Sequence, residues 1–154
     1  MKPVQQNMLD TVKEFEFTTQ DFDRVRALIY QRAGIALAES KQEMVYSRLA
    51  RRLRATGIVS FQTYLNNLEG EVNSSEWEAF TNALTTNLTS FFRESHHFPI
   101  LAEHVKKAKA PVDIWCSASS TGEEPYSIAM TLCEAFGTAT PPANIIATDI
   151  DTNV

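Results

Sequence analysis

The chain has 154 residues, 44% of them hydrophobic and 21% charged, with a formal net charge of −5. That balance is ordinary for a folded globular protein and excludes a disordered one. The acidic excess argues against a general nucleic-acid binder, and no apolar run approaches the ~20 residues of a membrane-spanning helix.

In chain order, residues 1–16 are polar with scattered apolar positions and read as a frayed leader. Thr18 and Asp21 form a capping box that opens a helix with Phe22, Val25, Ile29 and Ala33 on one face, and Gly34 ends it. A second helix from about Lys41 to Thr56 buries Val45, Leu49 and Leu53 and stops at Gly57. Ser60 caps a third with Phe61, Tyr64, Leu65 and Leu68, and Ser74 or Ser75 caps a fourth with Trp77, Phe80 and Leu84. Four short amphipathic helices joined by short turns predict a small helical domain over 17–86. A fifth helix is expected from about Glu94 to Lys107, and Ala108–Pro111 connects it to the first strand.

The run Ile114–Met130, IWCSASSTGEEPYSIAM, reads as a buried strand, a small-residue loop and the first turns of a helix. Gly122 and Pro125 punctuate the loop end, and Ile128, Ala129, Leu132 and Phe136 recur at helical spacing. Backbone amides at that helix start face whatever the loop holds. A phosphate is disfavoured, because no GxxxxGK[ST] lysine is present and Glu123 and Glu124 stand at the helix entrance; a positively charged ligand fits better. A second short β-branched strand, Asn144–Thr148, ends in Asp149, where a βαβ nucleotide site places a carboxylate for ribose hydroxyls. Both strands are continuous apolar runs of the type that parallel sheets bury on two faces.

Two further segments stand out. Between Lys41 and Gly57 lie five basic residues (Lys41, Arg48, Arg51, Arg52, Arg54) against one acidic residue, Glu43. Arg48, Arg51 and Arg54 step by three and form a stripe expected to face away from Val45, Leu49 and Leu53, either a solvated face or a docking surface for an acidic partner. In Thr86–Glu94, Leu88, Phe91 and Phe92 are expected to anchor the backbone and fix Asn87, Thr89 and Arg93 in direction. Cys116 and Cys133 belong to no CxxC pair and read as reduced, buried residues; His96, His97 and His104 have no metal-ligand spacing, so no metal is expected. With no signal-peptide hydrophobic region, the chain reads as cytoplasmic.

The strings TNLTSFFRE (Thr86–Glu94), ASSTGEEPYSIAM (Ala118–Met130) and ATDID (Ala147–Asp151), in that order, resemble the CheR-type chemoreceptor methyltransferases. The resemblance implies an α/β protein with a small N-terminal helical domain (17–86), an interdomain segment lining the cofactor site (87–95) and a doubly wound, Rossmann-like cofactor domain of which 96–154 is the first part. It implies methyl transfer from S-adenosylmethionine to receptor glutamates, with S-adenosylhomocysteine as product. Asn87, Thr89, Glu124 and Asp149 would bind the cofactor, Arg93 would bind it or act at the methyl-transfer centre, and Arg48, Arg51 and Arg54 would meet the receptor. No general base is needed, since a glutamate with an ordinary pKa of about 4.3 is already ionised at pH 7. The chain stops after the second strand, so a truncated form inactive alone is expected, whose bare strand edges either pair with another copy or leave the segment after about Ala110 loosely ordered. The alternative function is a non-catalytic receptor-binding or regulatory module.

Overall fold

The structure, a computed structural model, describes residues 13–71 and 74–154. The chain divides into two compact units, Met1–Ala83 and Leu84–Val154. Among the described residues no helix is long and apolar enough to cross a membrane.

The first unit contains helices α1 (Thr19–Ala33), α2 (Gln42–Thr56), α3 (Phe61–Gly70) and α4 (Ser75–Leu84), with a 3-10 turn, Glu39–Lys41, leading into α2. The caps expected at Thr18, Gly34, Gly57 and Ser60 form. The Thr18 hydroxyl accepts from the Asp21 N–H at 3.1 Å, while the Thr18 N–H donates to the Asp21 carboxylate at 2.9 Å. Ser60 accepts from the Thr63 N–H at 3.2 Å. Gly34 and Gly57 end α1 and α2 at φ 69° and 71°, a left-handed conformation that a Cβ would strain.

Helical periodicity then selects the core. Val25, Ile29, Val45, Leu49, Leu53, Leu65 and Phe80 are buried completely, at about 1.5–3 kcal/mol for each large side chain. Residues 1–12 of the expected leader lie outside the described residues. Lys13, Glu14 and Phe15 are tied to the helices: Lys13 pairs with Glu43 at 2.7 Å, Glu14 pairs with Arg54 at 2.6 Å, and the Phe15 ring meets Phe61 edge-on at 6.3 Å.

Helices α2, α3 and α4 share one half-buried polar network. Arg52 grips Glu76 with two hydrogen bonds of 3.0 and 2.6 Å, and the Tyr64 hydroxyl donates to the same carboxylate at 2.7 Å. The expected outward stripe on α2 requires correction at one end. Arg48 is half-buried and donates to the Ala83 carbonyl at 3.3 Å, because the last carbonyls of α4 have no partner within their own helix. Arg54 is exposed but paired with Glu14, and Arg51 is exposed without an ion pair among the described residues.

The second unit contains α5 (His97–Lys107), β1 (Val112–Cys116), α6 (Glu123–Phe136) and β2 (Ala143–Ala147). The strands pair in parallel, Val112 opposite Ala143 and Cys116 opposite Ala147, with α6 as the crossover. Helix α5 begins at His97 and not at Glu94, since Phe92 and Glu94 take φ 53° and 52°, outside right-handed helical space. Phe98, Val105, Cys116, Ile128 and Leu132 form the core, and Val112, Ile114 and Ile145 pack on it. Among the described residues the strands are therefore covered on one face only. Trp115 and Ile146 alternate with those residues and remain 70% and 60% exposed, beside an Asn144 to Asp113 hydrogen bond of 2.8 Å.

Burial pushes the Glu76 carboxyl up, but the Arg52 guanidinium and the Tyr64 hydroxyl outweigh it and hold the group below the ordinary carboxylate range. A depressed folded-state pKa contributes stability that is present above the ordinary value of about 4.3 and is lost as pH falls through the folded value. Glu76→Gln is thus expected to destabilise the helical unit by about 1–2 kcal/mol at pH 7, the figure being held low by partial solvent access. The deficit should shrink towards pH 3. Urea melts at both pH values measure it; identical midpoints at pH 7 would show that the network contributes nothing.

Candidate functional site

Where two parallel strands end, the ladder stops and the emerging backbone amides need new acceptors. Here the ladder runs one step past the strands: the Thr148 N–H donates to the Cys116 carbonyl at 2.9 Å and the Ser119 N–H to the Thr148 carbonyl at 3.0 Å. The loop then turns sharply, with Ser120 at φ 44° and Gly122 at φ 109° as the residue before α6. Asp149 takes over as acceptor. Its Oδ2 receives the Ser120 N–H at 2.7 Å and its Oδ1 receives the Asp151 N–H at 2.9 Å.

Asp151, only 3% exposed, ties in a third segment. Its Oδ2 accepts from the Thr85 hydroxyl at 2.6 Å and from the Asn87 side-chain amide at 2.7 Å, and its Oδ1 accepts from the Asn153 N–H at 2.9 Å. Ser120 Oγ donates to the Asn87 carbonyl at 3.1 Å. Asp149, Ser120, Asn87 and Asp151 are thereby joined in a closed ring of hydrogen bonds. Burial pushes the Asp151 carboxyl up, but these three donors more than offset it, so its pKa is lowered and the group stays ionised at neutral pH. The sequence pattern points to Asp149 and not to Asp151, although Asp151 is visible in it as the second aspartate of ATDID.

The remaining residues expected at the cofactor, Glu124, Arg93 and Thr89, lie in the same unit but outside that ring. Glu124, in the first turn of α6, has Oε1 3.2 Å from His97 Nε2, close enough for an ion pair when His97 is protonated but misaligned for a hydrogen bond. Glu123 instead accepts from the Thr121 hydroxyl at 2.7 Å. Arg93 is exposed and folds one nitrogen onto the Leu88 carbonyl at 2.9 Å, and Thr89 is half-buried; among the described residues neither bonds to the ring. The expected hydrophobic anchoring of this segment needs correction. Leu88 and Phe91 are 77% and 55% exposed, and only Phe92 is fixed, by its N–H to Ser127 Oγ at 3.0 Å and its ring 5.1 Å from Phe98. Polar bonds hold the segment instead, from Asn87 to Asp151, from Ser120 to the Asn87 carbonyl and from Phe92 to Ser127, with Thr85 just before it also bonded to Asp151.

This arrangement has a clear chemical bias. Residues 117–124 and 148–153 contain Glu123, Glu124, Asp149 and Asp151 and no lysine or arginine, which suits a ligand bearing positive charge and repels phosphate. Burial raises the pKa of the Cys116 thiol, so it remains a protonated packing group, while Cys133 is half-exposed. No cluster of three or more His, Cys, Asp or Glu placed to hold a metal occurs among the described residues.

Comparison with known proteins agrees with this chemistry. Residues 20–85 match the family model described as CheR methyltransferase, all-alpha domain, and residues 87–154 match CheR methyltransferase, SAM binding domain. The chain is 54% identical over 147 residues to the chemotaxis protein methyltransferase of Salmonella typhimurium, and 52% identical over 147 residues to that of Escherichia coli. Each alignment covers 96% of this chain and 51% of the relative. Against the Klebsiella aerogenes protein of the same name, identity is 59% over 133 residues, 86% of this chain and 46% of the relative. The chain spans about half the length of the curated relatives it matches. With a helical unit followed by the opening strands and helices of a SAM-binding domain, the chain belongs to the CheR methyltransferase family.

Proposed function

We propose that the full-length protein is a cytoplasmic S-adenosylmethionine-dependent O-methyltransferase that forms glutamyl methyl esters on chemotaxis receptors. The observation that carries this reading is the acidic strand-end site, free of lysine and arginine in both of its loops, within the segment matched as a SAM-binding domain. Its donor set fits the cofactor. Asp149 already accepts two backbone N–H groups, and the remaining lone pairs of its oxygens accept the ribose hydroxyls. Glu124 complements the positive charge of the cofactor's amino-acid portion, and Asn87 and Thr89 supply hydrogen bonds to the same end. Arg93 has guanidinium donors left beyond its one bond to Leu88, and these clamp a carboxylate.

The bound cofactor supplies an electrophilic methyl group on a sulfonium sulfur. The acceptor glutamate is ionised at neutral pH, so the protein moves no proton. Its residues hold the two reactants in line, a contribution that reaches about 7–11 kcal/mol in well-oriented systems. Basic residues of α2, with Arg51 the most available and Arg48 and Arg54 beside it, form the surface for the acidic receptor helices.

Labelled cofactor and receptor cytoplasmic helices test the reaction directly: base-labile methyl ester is expected on the receptor, and its absence would refute the function. Asp149→Ala should weaken cofactor binding at least tenfold by calorimetric titration, because hydrogen bonds to a charged acceptor contribute about 1.5–3 kcal/mol each. An unchanged dissociation constant would confine Asp149 to holding the loop. Reversing Arg51 and Arg54 to glutamate should slow receptor methylation while leaving cofactor affinity intact, and the wild-type rate should fall with added salt. Equal loss of cofactor binding would make the basic face structural.

A further inference from the structure

We propose that Asp151 is a positioning residue that fixes the orientation of the Asn87 carboxamide and so presents Asn87 Oδ1 as an acceptor for the ammonium group of the cofactor. The inference rests on the S-adenosylmethionine reading above. An ionised carboxylate only accepts hydrogen bonds, so the Asn87 group 2.7 Å from Asp151 Oδ2 has to be its NH2 and not its oxygen. One of the two orientations of the amide is thereby excluded. Asn87 is exposed, and among the described residues its Oδ1 accepts from no donor, which leaves that oxygen available to a cation. Asp151 is itself held in place, with Thr85 and Asn153 occupying further lone pairs and the backbone N–H bonded to Asp149. Buried at 3% exposure, it is shielded from direct ligand contact and acts through Asn87.

The test uses Asp151→Asn, which preserves shape but can either donate to or accept from Asn87, so the enforced orientation is lost. Full-length wild type, Asp151→Asn, Asn87→Ala and the double variant are titrated with S-adenosylmethionine, with thermal melts alongside. The dissociation constant of Asp151→Asn should rise about tenfold, a typical loss for one charge-assisted hydrogen bond. In the Asn87→Ala background the same substitution should add nothing, since the group it acts through is gone. An Asp151→Asn loss of equal size in both backgrounds, or no loss at all, would overturn the proposal. A readout without ligand separates this from the function itself: the Asn87 side-chain NH2 resonances should move and sharpen their exchange with water when Asp151 becomes asparagine. Unmoved resonances would refute the positioning role whether or not the wild type binds cofactor, whereas a wild type that binds none would refute the S-adenosylmethionine reading.

Discussion

The strand-end half of this molecule depends on one constraint: two short parallel strands stop together, and the polar backbone beyond them has to be satisfied without a ladder. Asp149 and Asp151 meet it. One receives the amides of the β1 loop and of its own turn, the other collects Thr85, Asn87 and Asn153. A water-exposed loop could leave such groups solvated, but Ser119 and Asp151 are buried, where an unpaired polar atom costs about 1–3 kcal/mol. The positive φ of Ser120 is tolerated because bonds on both its N–H and its hydroxyl determine its conformation.

The same carboxylates that organise the loops give the site its sign. A phosphate-binding loop offers free amides to an anion, whereas here the Ser120 amide is already taken by Asp149 and the local charge is negative. What the loops present is a set of oxygen acceptors, suited to hydroxyls and cationic groups. Asp149 holds the loop, and its oxygens have more lone pairs than the two backbone amides consume.

The helical unit distributes its charge differently. Arg52 is spent inside, on Glu76, where it joins α2 to α4 through two hydrogen bonds. Arg48 is turned to the α4 terminus and Arg54 to Glu14, so the cationic surface of α2 is narrower than a count of its arginines suggests. Long side chains can bend back to partners that helical spacing alone does not reveal.

Local rules were sufficient for much of the architecture. The Thr18–Asp21 capping box, the glycines at 34 and 57, the Ser60 cap and the helical spacing of Val45, Leu49 and Leu53 were legible because each acts within a turn or two of chain. The strand–loop–helix–strand order and the acidic end of β2 were legible for the same reason, and three short strings sufficed for the family resemblance. Sequence did not show that Leu88 and Phe91 point to solvent, that α5 begins at His97, or that Trp115 and Ile146 lie on an uncovered face. Nor did it show that Asp151, two residues beyond the expected ligand, captures Thr85 and Asn87 from more than sixty positions away, at separations of 66 and 64. Those outcomes depend on which segments meet in space, and a sequence pattern carries the period of an element but not the identity of its distant partners.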